Sequence, residues 1–239
     1  MRIVFFTGAG VSAESGISTF RDSNGLWENH KIEEVCNAHT WKQNRELVFK
    51  FYNERRIQLN KVEPNLIHKK IAEIQNKYEN VEIITQNVDD LFERAGCKDV
   101  IHVHGELTKM QCTACSHIWD IGYKEIDPDT VRCPKCNSNK GVKPNIVFFY
   151  ENAPKYMDMK RAFRKLESGD LLIVLGTMGN VVNIHSELSF TPASTILNNL
   201  EKSPYIDDSR IDYVFYKKGT EAILDIEKII EDKYLNSIW

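Results

Sequence analysis

Two short apolar runs, residues 3–6 and 171–175, and a further strand-like stretch, residues 81–85, each give way at once to glycine or polar residues: Thr7-Gly8, Gly176-Thr177 and Gln86-Asn87. Apolar runs of this length without alternation predict strands covered on both faces. Such strands belong to a parallel sheet with helices on either side, and ligands bind along the carboxyl edge of sheets of that kind. Residues 100–103, 194–197 and 212–216 predict further strands, and residues 145–149 are expected to return to the same sheet. Helical periodicity fits residues 40–60, 64–78, 90–95, 154–167 and 222–234. The expectation is an α/β fold with a doubly wound parallel sheet.

The first of these turns reads Thr7-Gly8-Ala9-Gly10-Val11-Ser12-Ala13. A strand, a glycine pair and a helix start resemble the opening of a dinucleotide-binding βαβ unit, where glycines let backbone N–H groups approach a pyrophosphate. Ala13 stands where the third glycine of that pattern falls, so a tight structural turn fits nearly as well. At the far end of the second strand, Gln86-Asn87-Val88-Asp89 places amides and a carboxylate together, and the run 100–103 delivers His104-Gly105. His102 and His104 share a face if the strand alternates, and either could be a hydrogen-bonded core histidine. Only His104 stands at the strand's exit.

Four of the six cysteines form two Cys-x-x-Cys pairs, Cys112/Cys115 and Cys133/Cys136. Two such pairs, 17 residues apart, suit a tetrahedral structural zinc site better than a disulfide framework. Cys36 and Cys97 read as ordinary buried thiols. Residues 107–144 therefore form a compact zinc module inserted into a domain built from 1–106 and 145–239, with a helical insertion at about 31–62.

On the helix expected over 40–60, Val48, Phe51, Tyr52, Arg55 and Leu59 fall on one face, with Phe49 and Ile57 outside it. A guanidinium amid apolar residues needs an anionic or carbonyl partner, from the protein or from a ligand. The helix over 64–78 is expected to turn Leu66, Ile67, Ile71 and Ile74 inward. The loop 16–27, with Phe20, Arg21 and Trp27, has no period and suits a segment that folds over a ligand, or a plain surface loop. A formal net charge of -3 offers no electrostatic case for nucleic acid or anionic membrane. No apolar run approaches the about 18 residues of a membrane span. The N-terminus does not read as a signal peptide, so a cytoplasmic protein is expected.

Taken together, Gly8-Ala9-Gly10-x-Ser12, Gly16-Ile17-x-Thr19-Phe20-Arg21, Gln86-Asn87-x-Asp89, His104-Gly105, the cysteine quartet and Gly176-Thr177 resemble the sirtuin family, in the family's order. Tyr52-x-x-Arg55 resembles the pair of the sirtuin-5-like branch that removes acidic acyl groups from lysine. The resemblance implies a Rossmann-like fold and an NAD+-dependent protein lysine deacylase. It would act on acylated lysine side chains of proteins and release nicotinamide, free lysine and O-acyl-ADP-ribose. It places the dinucleotide against Gly8, Ala9, Gly10, Ser12, Phe20, Arg21 and Trp27, with Gly176, Thr177, Met178, Asn199, Leu200, Glu201 and Gly219 toward the adenosine half. Gln86, Asn87, Val88 and Asp89 would hold the nicotinamide ribose and carboxamide, and His104 would be general base toward the ribose hydroxyls. Tyr52 and Arg55 would read a distal carboxylate, and Val147 and Phe148 would meet the substrate peptide. The Zn2+ held by Cys112, Cys115, Cys133 and Cys136 would be structural. The oligomeric state stays open, with a monomer compatible.

Several positions depart from the family pattern. Phe149-Tyr150-Glu151 stands for Phe-Gly-Glu, Met178 for serine, Asn183 for proline, Cys36-Asn37-Ala38 for Ala-Thr-Pro, and Phe92 for histidine. These bear on the acyl and peptide preference. Three other readings share parts of the pattern. They are an NAD-dependent ADP-ribosyltransferase, a dehydrogenase, and a zinc-ribbon protein that binds nucleic acid without catalysis.

Overall fold

A computed structural model describes residues 1–18, 26–27 and 30–236, with the backbone alone at 26, 27 and 236. The described elements run β1 (Ile3–Thr7), α1 (Gly10–Ala13), β2 (Leu26–Trp27), β3 (His30–Lys31), α2 (Ile32–Val35), α3 (Arg45–Leu59) and α4 (Leu66–Lys77). They continue with β4 (Val81–Thr85), α5 (Leu91–Arg94), β5 (Ile101–His102), β6 (Gly105–Cys112), β7 (Ile118–Asp120), β8 (Val142–Ile146) and α6 (Tyr156–Arg164). The chain closes with β9 (Leu171–Leu175), α7 (Ile184–Phe190), β10 (Ser194–Asn199), β11 (Tyr213–Tyr216) and α8 (Gly219–Asn236).

Six strands form one parallel sheet in the order β11-β10-β9-β1-β4-β5. The first three strands in sequence run outward one way from β1 and the last three run the other way. Strand order therefore reverses between β1 and β9, the place where doubly wound sheets leave a crevice. Successive residues of β1 feed opposite cores. Ile3 and Phe5 pack with Ile83, Ile173 and Ile196 beneath α4 and α8, while Val4 and Phe6 pack with Ile84, Leu172 and Leu197 beneath α6 and α7. Both faces are dry, as the unalternating runs predict.

Several expectations need correction. Residues 145–149 do not rejoin the parallel sheet, because β8 pairs antiparallel with β6 in a separate three-stranded sheet with β7. The run 100–103 is a strand only over Ile101–His102, so alternation does not govern His104. Leu66 is 38% exposed at the first residue of α4, where the helix has not yet turned its face to the core, whereas Ile67, Ile71 and Ile74 are buried.

α3 buries two faces. Val48, Phe51, Tyr52 and Leu59 join a cluster with Phe148 and Leu107, and Phe49, assigned from periodicity to no buried face, packs on Met110, Cys112, Cys133 and Val142. The fully buried cation is Arg56, not Arg55, which is half-buried with its guanidinium over the Phe51 ring. Arg56 donates to the carbonyls of Lys124 (3.0 Å) and Leu107 (3.5 Å) and to the side chain of Asn53. Burial lowers its pKa to about 10, and it stays charged because those carbonyls accept its protons. It ties α3 to the chain around the three-stranded sheet.

Asn65 caps α4 by accepting from the Ile67 N–H, while His68 Nδ1 accepts from the Asn65 N–H at 3.3 Å. His68 is fully buried against Phe92, and burial lowers its pKa to about 3. Unfolded, it regains an ordinary histidine pKa near 6.5, so only the unfolded chain binds this proton between those values. His68 should therefore cost stability as pH falls from about 6.5, at up to about 1.4 kcal/mol per unit. Urea unfolding of the native protein and a His68→Gln variant between about pH 7 and 5 checks this, since the variant's slope should be shallower by up to one proton.

Candidate active site

Where strand order reverses, two glycine turns meet. The Gly10 N–H donates to the Gly176 carbonyl at 2.9 Å, and the Gly8 N–H donates to the Leu175 carbonyl at 2.9 Å. A Cβ on Gly10 would lie 2.7 Å from the Gly176 Cα, and one on Gly176, at φ +63, would lie 2.6 Å from the Val11 nitrogen. The turns after β1 and β9 can close against each other only with hydrogen as side chain.

Ser12, on α1, reaches the turn after β4. Its hydroxyl donates to Asp89 Oδ2 at 2.8 Å and accepts from Asn87 Nδ2 at 2.9 Å. Asp89 is buried and also accepts from the Leu91 N–H at 3.2 Å. Burial raises its pKa against the lowering effect of the Ser12 hydrogen bond. Gln86 Nε2 donates to Thr177 Oγ1 at 2.9 Å, and Asn199 Nδ2 donates to the Thr177 carbonyl at 2.9 Å. Gly8, Gly10, Ser12, Gln86, Asn87, Asp89, Gly176, Thr177 and Asn199 thus form one connected edge. Asn199 Oδ1 is buried with no hydrogen-bond partner among the described residues, so an acceptor is left open on that edge.

The other expected residues lie around it. Ala9 precedes α1, the Val88 carbonyl accepts from Leu107, and the Met178 carbonyl accepts from Ser203. Gly219 opens α8 against Ile67, beside Thr220, which donates to Glu14. Glu201 follows Leu200, which points outward at 68% exposure. Phe20 and Arg21 lie outside the described residues, as does the side chain of Trp27.

His102 and His104 separate clearly by their partners. His102 is buried with Nδ1 3.0 Å from the Asn87 carbonyl and Nε2 2.8 Å from the Glu93 carboxylate. Both partners only accept, so both nitrogens carry protons and no lone pair is left. Burial alone would lower its pKa, but the hydrogen bond and charge of Glu93 raise it above the ordinary value. His104 has Nδ1 3.0 Å from the Gln86 carbonyl and Nε2 2.9 Å from the Tyr156 hydroxyl. Here Nδ1 donates, Nε2 keeps a lone pair, and burial lowers the pKa, so the ring is neutral near pH 7. Gly105 must be glycine, since φ is +89 and a Cβ would lie 2.0 Å from the Asn145 carbonyl oxygen.

Tyr52 is fully buried, stacked on Phe148 at 6.0 Å between centroids. Burial, then Cys36, raises its pKa well above the usual value. Cys36 and Cys97 are buried free thiols. The N–H groups of Val147, Phe148 and Phe149 are used internally, by the His104 carbonyl, the Glu151 carboxylate and the Cys36 carbonyl. Glu151 also accepts from the buried Lys143 at 2.9 Å, and Lys143 sits 3.7 Å from the Phe148 ring centroid. Tyr150 adopts φ +70 at 76% exposure, which explains why glycine suits that place.

The four cysteine sulfurs lie within 4.8 Å of one another, with Cys112–Cys136 and Cys115–Cys133 at 3.6 Å. Zn–S bonds of 2.3 Å in a tetrahedron put sulfurs about 3.8 Å apart, so the cluster fits one structural zinc. Four thiolates leave no open coordination position for catalysis.

Sequence reasoning missed Arg56, Tyr123, whose hydroxyl bonds Asp90, the Lys143–Glu151 pair and Tyr156. All but the Lys143–Glu151 pair join residues distant in sequence, and no helical or strand period marks any of these partners.

Residues 8–183 match the sequence signature of the Sir2 family. This chain belongs to the Sir2 family. It is 46% identical to an NAD-dependent protein deacylase of Helicobacter hepaticus, over 98% of this chain and 99% of that protein. Among solved structures, a Sir2 homologue–NAD complex superposes with a TM-score of 0.82 at 32% identity, covering 97% of this chain and 90% of that one. A Sir2 protein bound to a deacetylated p53 peptide and 3'-O-acetyl ADP-ribose gives 0.78 at 26%, covering 95% and 92%. The parallel sheet is the family's Rossmann-like fold, and no described helix is long and apolar enough to cross a membrane.

Two outcomes are expected. Ser12→Ala should weaken NAD+ binding by about tenfold through loss of two hydrogen bonds to Asn87 and Asp89, as read by calorimetry. Cys112→Ala should drop zinc content from about one per chain to near none, with faster hydrogen exchange over residues 105–146.

Proposed function

We propose that the chain is an NAD+-dependent protein lysine deacylase, and that the carrying observation is the neutral His104 held with a lone pair on Nε2 beside the Ser12–Asn87–Asp89 network. The glycine crevice keeps the sheet's carboxyl edge free of side chains where a dinucleotide would lie, and the open Asn199 Oδ1 suits a ribose hydroxyl. NAD+, when bound, supplies an electrophilic ribose carbon with nicotinamide as leaving group, and the acyl oxygen of the modified lysine is its nucleophile.

Asn87 and Asp89 would hold the nicotinamide ribose and carboxamide. Their positions are set by Ser12, so the first turn of the chain and the turn after β4 act as one unit. Gln86, tied to Thr177 and offering its carbonyl to His104, would contact the ribose. His104 Nε2 would take the proton of the ribose hydroxyl that bonds the acyl carbon; the carbon–nitrogen bond to lysine would then break, the amine leaving protonated, and water would complete the O-acyl-ADP-ribose. His102, protonated on both nitrogens, holds the Asn87 backbone through its carbonyl. The relative from Helicobacter hepaticus is named a deacylase, and the complex with an acetylated ADP-ribose shows the corresponding product on a Sir2 protein.

The finer reading is that acidic acyl groups are preferred. Tyr52 and Arg55 are three residues apart on α3, and Tyr52 is stacked on Phe148 beside the segment proposed to meet the peptide. Arg55 would pair with the distal carboxylate of a succinyl or malonyl chain, as a planar guanidinium does well. Cys36 lies next to Tyr52, so it would narrow the space for a long acyl chain beside that residue.

Incubation with NAD+ and matched acetyl- and succinyl-lysine peptides, following nicotinamide and O-acyl-ADP-ribose, tests both levels. His104→Tyr should reduce product formation by at least about 100-fold, and retained activity would sink the mechanism. Arg55→Met should lower desuccinylation by about tenfold or more while sparing deacetylation. Equal effects on the two acyl groups would remove the acidic-acyl reading alone.

A further inference from the structure

We propose that Tyr156 is a positioning residue for His104, holding the imidazole in the tautomer that the base needs. This inference rests on the reading of His104 as the base.

The Gln86 carbonyl can only accept, so His104 Nδ1 carries the proton of that 3.0 Å bond and Nε2 presents its lone pair. At 2.9 Å from that lone pair stands the Tyr156 hydroxyl, which therefore donates. The imidazole is clamped from both ends by one obligate acceptor and one donor. Turning the ring over would present C–H groups to both partners, and moving its proton to Nε2 would set a bare Nδ1 against the Gln86 carbonyl and a donor against the Tyr156 O–H. His102 has no such clamp, because both of its partners accept.

Tyr156 is well placed for this role. It is the first residue of α6 and is half-buried, with its ring centroid 5.9 Å from that of His104. The chain leading to it is fixed. Glu151 accepts from the buried Lys143 and from the Phe148 N–H, and the Val147 N–H donates to the His104 carbonyl. The segment proposed to meet the substrate peptide thus begins on the backbone of His104 and leads to a residue on its side chain. A hydroxyl is a rotor with one donor and two acceptor sites. When a sugar hydroxyl takes the single Nε2 lone pair, the Tyr156 hydroxyl yields that position, and after proton transfer its oxygen can accept from the new Nε2–H. The ring stays aligned in both protonation states.

Tyr156→Phe removes the hydroxyl and keeps the ring. Two rates are read with NAD+ and an acyl-lysine peptide: exchange of labelled nicotinamide into NAD+, which reports the step before the base acts, and O-acyl-ADP-ribose formation, which needs the base. Product formation should fall about tenfold with exchange within about twofold of the native protein, since the loss is one of alignment at a single step. The double variant with His104→Ala should be no slower than His104→Ala alone, because both changes act through one group. Nitrogen NMR of the labelled histidines supplies a reading independent of turnover. Native His104 should show the Nδ1–H tautomer, and Tyr156→Phe should populate the Nε2–H form.

An unchanged rate of product formation, a parallel fall in exchange, an additive double variant or an unchanged tautomer would each overturn the role of Tyr156. Full product formation by His104→Ala would instead overturn the reading of His104 itself.

Discussion

The backbone contact between Gly10 and Gly176 is the constraint on which the remaining architecture depends. Two turns from opposite halves of the sheet approach so closely that one N–H reaches one carbonyl at 2.9 Å with no room for a methyl group. That closeness brings α1 over the carboxyl ends of β1 and β4 and places Ser12 between Asn87 and Asp89. Asp89 tolerates burial because Ser12 and the Leu91 N–H satisfy it. A side chain at either glycine would part the turns and dismantle a network tens of residues away.

The parallel sheet was legible because strands covered on both faces leave unalternating apolar runs, and β1 and β9 are of that kind, whereas β4 carries Glu82 and is buried only over Ile83–Thr85. β8 was misassigned for a related reason. Residues 145–149 are as apolar as a sheet strand, but apolarity alone does not show which sheet a strand joins. Its partner β6 follows the His104 turn, where Gly105 at φ +89 redirects the chain toward the cysteine module. The cysteines were legible because metal ligand spacing is local.

Charged groups inside the fold were the least legible. Periodicity singled out Arg55, yet Arg56 is the one fully buried, since α3 faces both the Tyr52 cluster and the zinc module and Arg56 lies where carbonyls of 107 and 124 converge. Lys143 is likewise buried against Glu151 and the Phe148 ring, with burial lowering its pKa. Helical angles locate an apolar face but say nothing of carbonyls brought in from elsewhere. The two histidines show the same limit. They are two residues apart and similar in sequence context, and their chemistry differs only because one faces a carboxylate and the other a hydroxyl.

The central claim is that the crevice at the strand reversal is the dinucleotide site and is organised by Ser12, Asn87 and Asp89. Amide hydrogen exchange of the native protein with and without NAD+ addresses it directly. Binding at this edge predicts slower exchange at residues 8–12, 86–89, 176–178 and 199, with little change in the cysteine module. Protection centred on residues 107–144, or none at the glycine turns under saturating NAD+, would contradict it.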